Sequence, residues 1–367
     1  MNIARAIITG GATGGHLFPG IAVAREIQRR NAGAEILFVG AERGIESRLV
    51  PQEGFQLRVL PLGGIKGEGW GKKIRSMAEA VKGIIKAKRI LKEFNPDVVI
   101  GVGGYASFPM VSAAILSGCP RLVMEQNSIP GLSNRLLAPW VDFAAITDPR
   151  TKSTFGDRGV VTGNPIRPQF KTISPKTHQS PFTVLVFGGS QGAQSINNAV
   201  RESLAFLSDW KGNLKFIHQT GEKQVGELRQ AYAAAGIDAD VRAFFNDFHE
   251  QYGAADLIVC RSGGAVAEIK AAGRAAILIP LPTAADDHQT RNAQSMVAEN
   301  AAVMIAGANL TGERLAGTIR SMLSDAGRLT EMENNARRIA VLDAEQRIVD
   351  LAERAMQKTA QKRGERV

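Results

Sequence analysis

The chain has 367 residues, which is enough for two domains with separate hydrophobic cores. Its apolar fraction of 44% and charged fraction of 22% are typical of a soluble globular protein and exclude a fibrous or disordered chain. The formal net charge of +10 favours an anionic partner, such as nucleic acid, an anionic membrane or a phosphorylated metabolite. The two cysteines, Cys119 and Cys260, provide neither a disulfide framework nor a metal-ligand spacing, which suits a reducing cytosol.

The first half of the chain alternates between strand-like and helical runs. Its opening segment, "MNIARAIITGG", has too short an apolar run for a signal peptide and predicts a first β-strand. A glycine turn and an amphipathic helix follow, and then come the runs "EILFVG", "PDVVIGVGG", "MVSAAILSG" and "RLVMEQN". This alternation is typical of a parallel sheet with helices on both faces.

One uncharged stretch, from Val98 to Pro120, is long enough to span a bilayer. Its centre, "GVGGYASFP", contains glycine pairs, serine and proline, which favour a strand, a loop and then a helix. We therefore expect no transmembrane helix in this stretch.

A segment rich in proline, serine and threonine, residues 160–181, predicts a linker, after which the pattern restarts. The second half opens with "FTVLVFGGSQGAQSINNAV", again a strand, a glycine turn and a helix. Its further strand-like runs are "LKFIHQT", "VRAFF", "ADLIVC", "AAILIP" and "AAVMIA". The "DAD" at 238–240 has the form of a metal-binding D-x-D, but its context predicts a loop without a metal.

The chain closes with a charged helical stretch over residues 328–357, and the tail from Gln357 is expected to be frayed.

The whole pattern predicts the α/β class, with two doubly wound Rossmann-like domains that face each other across a cleft. Ligands of such sheets bind at the carboxyl ends of the strands, so both glycine turns are expected to border the cleft.

Both glycine turns suit a phosphate, because backbone N–H groups approach it without an intervening Cβ and the helix N-terminus adds positive partial charge. Neither fits the dinucleotide fingerprint, since Gly10 would need a glycine at Ala12 and Gly188 one at Ser190. Neither carries the G-K-[ST] of a P-loop. A tight turn that binds nothing is the alternative, which the repetition in both halves disfavours.

His16 follows the first turn directly. Beside a phosphate-binding loop its near-neutral pKa would suit a general base. A structural histidine or a helix cap is the alternative that the residues alone leave open.

The first turn resembles the G-G-G-T-G-G-H-x-x-P signature of the MurG family of glycosyltransferases (family 28), with Ala12 in place of one glycine. Further matching motifs follow in the family's order over nearly the whole chain: "GVGGYAS" (101–107), "EQN" (125–127), "GNPIR" (163–167), "GGSQGAQSIN" (188–197), "CRSGG…AE" (260–268) and "DHQTRNA" (287–293). The resemblance implies the two-domain glycosyltransferase-B fold.

The resemblance also implies an activity, namely inverting transfer of N-acetylglucosamine (GlcNAc) from UDP-GlcNAc to the 4-hydroxyl of N-acetylmuramic acid on undecaprenyl diphosphate. The acceptor is lipid I and the products are lipid II and UDP, as in peptidoglycan synthesis. No metal and no other cofactor is implied. The expected location is peripheral, on the cytoplasmic face of the plasma (inner) membrane, where other cell-wall synthesis proteins are possible partners.

Domain roles follow from the same resemblance. Residues 1–162 are expected to form an acceptor-binding, membrane-associated domain and residues 163–340 a UDP-GlcNAc-binding domain. Residues 341–367 are expected to provide a helix that packs back on the first domain, followed by the frayed tail.

Donor-binding residues are also implied by the resemblance. Ser190 with its neighbouring backbone would hold the diphosphate, and Arg167 would add positive charge. Glu268 would accept hydrogen bonds from the ribose hydroxyls, and the backbone at Phe245 would read uracil. The remaining implied contacts are the sugar-binding amides of Gln289 and Asn292 and the backbone of Gly263, Gly264, Ala265, Val266 and Ala267.

On the first domain, the resemblance implies that Thr13, Gly14 and Gly15 face the donor and the acceptor diphosphate, and that Asn127 lies in the same cleft. His16 is then the first candidate for the catalytic base, and Glu125 is its rival.

Simpler structural roles are open for several of these residues. Ser190 and Glu268 are of types that often cap helix N-termini. Asn127 suits a turn, and Arg167 a solvated surface charge. Gln289 and Asn292 lie three residues apart, a spacing that also occurs on an exposed helix face.

Residues 66–93 hold nine basic and three acidic residues, which is +6 of the net charge in one segment. Apolar residues recur there at helical spacing after Trp70: Ile74, Met77, Val81, Ile84, Ile85 and Leu91. A basic amphipathic helix of this kind suits an anionic membrane surface. A packed helix with a solvated charged face is the alternative.

Two other functions compete with transfer to lipid I. One is a glycosyltransferase-B enzyme with a different lipid or small-molecule acceptor, against which the "GGYAS" and "EQN" motifs argue. The other is a non-catalytic protein that binds a nucleotide sugar or RNA. The 6% aromatic content and the lack of aromatic-rich basic strands argue against nucleic acid.

Overall fold

The computed structural model describes residues 2–11, 14–41, 44–60, 70–189, 191–284 and 287–364, with the backbone alone for residues 70–78. The chain divides into two compact units. The first comprises Met1–Ile166 and Asp343–Val367, and the second comprises Arg167–Leu342. The division therefore falls inside the segment predicted as a linker, a few residues after the predicted boundary at 162/163.

The first unit contains a seven-stranded sheet in the order β3-β2-β1-β4-β5-β6-β7, with every neighbouring pair parallel. Its strands are β1 (Arg5–Gly10), β2 (Glu35–Ala41), β3 (Gln56–Leu60), β4 (Val98–Gly103), β5 (Arg121–Glu125), β6 (Phe143–Ile146) and β7 (Gly159–Val161). Three of these, β3, β6 and β7, were not predicted, and β7 lies partly in the predicted linker.

The second unit contains a six-stranded parallel sheet in the order β10-β9-β8-β11-β12-β13. Its strands are β8 (Phe182–Phe187), β9 (Leu214–Gln219), β10 (Asp238–Arg242), β11 (Leu257–Cys260), β12 (Ala276–Leu278) and β13 (Val303–Met304). The α/β class with two parallel sheets is thus confirmed.

The fifteen α-helices of the described residues connect these strands. In chain order they are α1 (Gly14–Arg30), α2 (Glu46–Gln52), α3 (Trp70–Phe94), α4 (Ser107–Leu116), α5 (Leu132–Leu137), α6 (Lys152–Phe155), α7 (Pro168–Lys171), α8 (Gln194–Ser203), α9 (Val225–Ala235), α10 (Phe248–Ala254), α11 (Ala265–Ala272), α12 (His288–Ala298), α13 (Gly312–Leu323), α14 (Ala326–Arg338) and α15 (Ala344–Arg363).

The loop predicted at "DAD" is wrong, because Asp238 begins β10 and Asp240 lies inside that strand. The Asp240 carboxylate pairs with Arg242, at 2.9 Å from Nε and 2.7 Å from Nη2. The arginine therefore neutralises this carboxylate on the strand surface. Within the described ranges, no group of histidine, cysteine and acidic residues could hold a metal ion.

The last helix packs in the first unit. Ile348, Leu351 and Ala352 of α15 are buried in the same core as residues of β1 and α1. Arg30 of α1 donates to Asp350 at 2.6 Å, which fixes α15 against that helix. The predicted fraying from Gln357 is wrong, because α15 continues to Arg363. The helical stretch predicted over 328–357 consists of two helices, α14 and α15.

Each sheet has a topological switch point, where the helices after two neighbouring strands leave toward opposite faces. In the first unit these strands are β1 and β4, because α1 contributes to one core and α4 to the other. In the second they are β8 and β11, which are followed by α8 and α11 on separate cores. A crevice at the carboxyl ends of such strands is the usual ligand site of an open α/β sheet.

The uncharged stretch that was long enough to span a bilayer contains β4 and α4, as predicted. In the parts of the chain that the structure describes, no helix has the length and hydrophobicity needed to cross a membrane.

A buried ionic cluster ties the segment before β8 to the rest of the second unit. His178, whose side chain is 1% exposed, lies with Nδ1 2.9 Å from Asp256 Oδ1 and Nε2 3.6 Å from Glu333 Oε1. Lys176 donates to Asp256 at 2.9 Å, and Arg274 lies 3.6 Å from Glu333. The hydrogen bond to Asp256 and the charge of Glu333 raise the pKa of His178 from 6.5 to about 9.

This cluster predicts that stability falls at alkaline pH. The folded pKa of His178 exceeds the ordinary value, so its stabilisation is complete below pH 6.5 and is lost as pH rises through about 9. We expect a loss of about 3 kcal/mol over this window, measured as the free energy of urea unfolding. His178→Gln should flatten the dependence, whereas His249→Gln, in the same unit, should keep it. An unchanged pH slope in His178→Gln would contradict the assignment.

Candidate functional site

The first glycine turn packs against the end of the neighbouring strand β4. Gly10 has φ +126°, and a Cβ on it would lie 2.3 Å from the Gly103 carbonyl oxygen. Gly104 has φ +79°, and a Cβ there would lie 2.9 Å from the Gly11 carbonyl oxygen. Only glycine permits these backbone conformations and this approach at the β1/β4 switch point. The glycines of "GVGGYAS" and of the first turn therefore serve one arrangement.

Helix α1 begins within this turn. Gly14 and Gly15 are its first two residues, and the N–H groups of a first helical turn have no partner inside the helix. Together with the helix dipole they favour an anion at this end of β1. Thr13, like Ala12, lies outside the described residues.

His16 is the third residue of α1, and its imidazole lies over the end of β4. A Cβ on Gly103 would lie 2.6 Å from His16 Cδ2 and 3.0 Å from its Nε2. The Gln126 side-chain oxygen would lie 3.5 Å from that Cβ on Gly103. Gln126 Nε2 donates to the Val102 carbonyl at 3.0 Å. The missing side chain at Gly103 thus makes room for the imidazole at the switch point.

A buried carboxylate that sequence reasoning missed lies behind this turn. Glu46, in the first turn of α2, is 1% exposed and accepts a hydrogen bond from the Ala41 amide at 3.0 Å. Cβ atoms on Gly11 and Gly40 would lie 3.1 Å and 2.6 Å from its side chain. The signal in the sequence was an acidic residue five positions after the end of a strand, close to Gly40 and Gly44.

Glu125, the last residue of β5, is 3% exposed and accepts four hydrogen bonds. Oε1 accepts from the amide and side chain of Asn127 at 3.0 and 3.2 Å, and Oε2 from the Gly131 amide and Asn134 Nδ2 at 3.0 and 2.9 Å. Burial raises the pKa of Glu125, and these hydrogen bonds oppose the shift. The carboxylate thereby holds the loop over residues 126–131, and Asn127 is both a turn residue and its partner.

The second glycine turn repeats the close approach, here with the end of β9. Gly192 has φ +76°, and a Cβ on it would lie 1.9 Å from the Thr220 carbonyl oxygen. Gly221 has φ +75°, and a Cβ there would lie 2.2 Å from the Gln191 carbonyl oxygen. Ser190 lies outside the described residues. The turn places the first residues of α8 at the end of β8.

Arg167 and Glu268, which are far apart in sequence, meet in the second unit. Arg167 donates from Nη2 at 2.8 Å and Nε at 3.2 Å to Glu268 Oε1, and its guanidinium covers the Phe170 ring. The alternative of a solvated Arg167 is therefore wrong. Glu268 is the fourth residue of α11, whose N-cap is Gly264, so it is not a cap. Burial raises the pKa of Glu268, and the charge of Arg167 opposes this.

The N-terminus of α11 and helix α12 form one bonded group. The amides of Val266 and Ala267 bond the carbonyls of Gly263 and Gly264 at 3.1 and 3.3 Å, which makes a tight first turn that includes Ala265.

Helix α12 is tied to this turn by its side chains. Asn292 Nδ2 donates to the Ser262 carbonyl at 3.0 Å, and Ser262 Oγ donates to the Gln289 carbonyl at 2.8 Å. The side-chain oxygen of Gln289 accepts from the Leu281 amide at 3.0 Å. Gln289 and Asn292 are half-buried at the switch point. The alternative, in which both lie on an exposed helix face, is therefore wrong.

Phe245 contributes its side chain to the core, where it is 1% exposed. Its amide donates to Gln219 Oε1 at 3.0 Å, and Gln219 Nε2 donates to the Gly189 carbonyl at 3.0 Å. Sequence reasoning missed Gln219, although a polar residue at the end of a buried strand was a signal. The resemblance implies that the backbone at Phe245 reads uracil, and the amide of that backbone is bonded within the protein.

Each unit therefore carries the features that bind a phosphorylated ligand at the end of a parallel sheet. The first offers helix N–H groups beside an imidazole. The second offers two helix N-termini, a carboxylate paired with an arginine, and carboxamides of α12. Such groups bind a diphosphate, hydroxyl groups and a nucleobase rather than an apolar ligand.

Comparisons with known proteins agree with this geometry. Residues 6–146 match the glycosyltransferase family 28 N-terminal domain, and residues 183–354 match the family's C-terminal domain. The chain is 49% identical to the UDP-N-acetylglucosamine–N-acetylmuramyl-(pentapeptide) pyrophosphoryl-undecaprenol N-acetylglucosamine transferase of Citrifermentans bemidjiense, covering 94% of this chain and 98% of the relative. It is 46% identical to the enzyme of that name from Geotalea uraniireducens, over 94% and 96% of the two chains. The crystal structure of Acinetobacter baumannii MurG has a TM-score of 0.77 and 31% identity, over 95% of this chain and 99% of that one.

The four hydrogen bonds to Glu125 predict the effect of removing its charge. Glu125→Gln keeps the shape but places an NH₂ group against N–H donors, so we expect a loss of about 1–3 kcal/mol in unfolding free energy. Glu93→Gln, an exposed carboxylate in the same unit, should change stability by less than about 0.5 kcal/mol. Urea unfolding measures both. Unchanged stability in Glu125→Gln, with turnover lost, would contradict the positioning role and favour Glu125 as the base.

Proposed function

The chain belongs to glycosyltransferase family 28, and from this premise we propose that it transfers GlcNAc from UDP-GlcNAc to N-acetylmuramyl-(pentapeptide) pyrophosphoryl-undecaprenol, the lipid I of peptidoglycan synthesis. The observation that carries the proposal is the glycine turn at the switch point of each sheet, next to a helix N-terminus. One turn adjoins His16, and the other lies in the same unit as the Glu268–Arg167 pair. Lipid II and UDP are the products.

The reaction makes two demands on the protein. The acceptor hydroxyl forms a bond to the anomeric carbon as the bond from that carbon to UDP breaks, with inversion. The hydroxyl must lose its proton, and the departing diphosphate must be stabilised. A base and a set of N–H donors are therefore the required groups.

In the proposal, the second unit binds the donor. The turn over residues 188–192 and the N-termini of α8 and α11 stabilise the diphosphate. The Glu268 carboxylate accepts hydrogen bonds from the ribose hydroxyls, and Arg167 favours its charged form against burial. Gln289 and Asn292, held at the same switch point, bind the sugar hydroxyls.

The first unit, in the proposal, binds the acceptor. The N–H groups of Gly14 and Gly15 face its diphosphate, and His16 accepts the proton from the attacking hydroxyl. Asn127, fixed by Glu125, lines the acceptor side. The four hydrogen bonds to Glu125 favour His16 as the base, because a proton acceptor needs a lone pair directed at the substrate.

A lipid acceptor places the enzyme at a membrane, and α3 supplies a suitable surface. Val81 and Ile85, two residues of the apolar pattern after Trp70, are 52% and 51% exposed, and Lys82 and Lys86 are exposed beside them. The buried face of the helix consists of other residues, Ala87, Ile90 and Phe94. We infer that this exposed basic and apolar face binds anionic lipid peripherally, on the cytoplasmic side where UDP-GlcNAc is present.

His16→Ala tests the base. We expect turnover of UDP-GlcNAc with a lipid I analogue to fall about 100-fold or more, because general-base catalysis contributes that much. Affinity for UDP, measured by calorimetry, should stay within about twofold, since the donor groups lie in the other unit. His249→Ala is the control variant.

Near-normal turnover in His16→Ala would contradict the base assignment. Diacylglycerol offered beside the lipid I analogue tests the acceptor class, and transfer to diacylglycerol alone would contradict the proposed acceptor. UDP release that does not need any acceptor would contradict the transfer itself.

The lysines of α3 provide the membrane test. Lys82→Glu with Lys86→Glu should weaken binding to vesicles containing phosphatidylglycerol about tenfold or more, because each basic residue near an anionic surface contributes roughly 1 kcal/mol. Adding Lys72→Glu and Lys73→Glu should weaken it further. Lys211→Glu with Lys223→Glu, exposed in the second unit, is the matched control. Equal binding by both double variants in vesicle sedimentation would contradict α3 as the contact.

A further inference from the structure

We propose that Gln219 is a positioning residue that determines selectivity for uracil, because its carboxamide fixes the base-reading backbone at Phe245 to the diphosphate turn at Gly189. This inference rests on the proposed function, in which the donor nucleotide is UDP. It concerns a residue that itself touches neither the sugar nor the phosphates.

The two hydrogen bonds of Gln219 join the ends of two strand-connected loops. Gln219 is the last residue of β9, which lies between β8 and β10, and it is 3% exposed. Its Nε2 donates to the Gly189 carbonyl at 3.0 Å, and its Oε1 accepts from the Phe245 amide at 3.0 Å. The Gly189 carbonyl can only accept a hydrogen bond and the Phe245 amide can only donate one, so the orientation of the Gln219 carboxamide is unambiguous.

The backbone around this bridge is held on both sides. Beyond the end of the strand pairing, the Thr220 amide bonds the Arg242 carbonyl at 3.0 Å, and the Gly221 amide bonds the Ala243 carbonyl at 3.1 Å. The Phe245 side chain is anchored in the core. The bond from Gln219 is the next restraint along this path, and it fixes the direction of the peptide group between Phe244 and Phe245, from which the Phe245 carbonyl continues.

A fixed peptide group at this place can select a pyrimidine. In the proposal the Phe245 N–H is occupied by Gln219, so the group that Phe245 presents to the base is its carbonyl, an acceptor in the adjoining peptide group. Uracil carries an N–H donor at N3, whereas cytosine carries a lone pair there. A carbonyl held in one direction therefore binds the first and repels the second, while ribose and diphosphate are the same in UDP and CDP.

The bridge also relates the two parts of the donor site to each other. The same carboxamide holds the turn that faces the diphosphate and the segment that faces the base. Loss of the bridge leaves the carbonyl free to turn. UDP then binds more weakly because it loses a hydrogen bond, and CDP is repelled less. Selectivity, rather than affinity alone, is then the property that Gln219 sets.

Two substitutions separate the two bonds. Gln219→Met has similar length and removes both. Gln219→Glu keeps the acceptor for the Phe245 amide but loses the donor to the Gly189 carbonyl and adds a negative charge on the diphosphate side. Gln224→Met is the matched control, because Gln224 is another bridging carboxamide of this unit, bonded to Asn197 at 2.9 Å and Asn198 at 3.1 Å.

The measurement is the dissociation constant of UDP and of CDP for the full chain, by titration calorimetry. The selectivity is the dissociation constant of CDP divided by that of UDP. We expect this ratio to be about tenfold lower in Gln219→Met than in the wild type, because a tenfold change corresponds to the loss of about one hydrogen bond. Gln224→Met should keep the wild-type ratio. Gln219→Glu should also keep the ratio while both affinities fall, because its bond to Phe245 remains and its charge repels both diphosphates.

Three results would overturn the inference. A wild-type ratio in folded Gln219→Met would show that Gln219 does not set selectivity. Should that variant not fold, loss of the ratio in Gln219→Glu would show that the bond to Phe245 is not the one that matters. A wild type that binds CDP as tightly as UDP would overturn the proposed donor together with this inference, and that outcome is distinct from the other two.

Discussion

The close approach of backbone to backbone at the ends of neighbouring strands is the constraint on which both sites depend. A Cβ on Gly10 would meet the carbonyl of Gly103, and one on Gly192 would meet that of Thr220. Side chains at these positions would push the turns away from the strand ends. The N-termini of α1 and α8 would then no longer lie at the switch points, where the N–H groups of a first helical turn favour an anion.

Buried polar side chains hold these turns in place. Glu46 packs among glycines behind the first turn, and Glu125 accepts four hydrogen bonds from one loop and the helix after it. Glu268, which is half-buried, is paired with Arg167. A buried carboxylate is costly unless hydrogen bonds or an opposite charge compensate it. For Glu125 the compensation comes from the backbone and side chains of the loop over residues 126–131 and of α5, so the burial of this charge also orders that loop. Such order before binding is what positions substrates and donors for catalysis.

Much of this arrangement could be predicted from the sequence, because the signals were local. Long apolar runs predicted the buried strands β1, β4, β8 and β11, and the glycine turns indicated where α1 and α8 begin. The strand β3 escaped prediction because its run "QLRVL" alternates with polar residues at the sheet edge. The strand β10 was misjudged because Asp238 and Asp240 are unusual in a strand. They are tolerated at an edge of the second sheet, where they pair with neighbouring basic residues.

The residues that could not be found from motifs are those whose partners are backbone atoms of distant loops. Gln219 bonds the amide and carbonyl of residues 26 and 30 positions away, and no sequence pattern states such a pairing. A rule can nevertheless be drawn from the two cases here. Glu125 ends β5 and Gln219 ends β9, and each is a buried polar residue that closes an apolar strand and bonds the loops around it. Since burial of an unsatisfied polar group is costly, a polar residue at that point implies partners, and in a parallel sheet the nearest partners are the loops that bind the ligand.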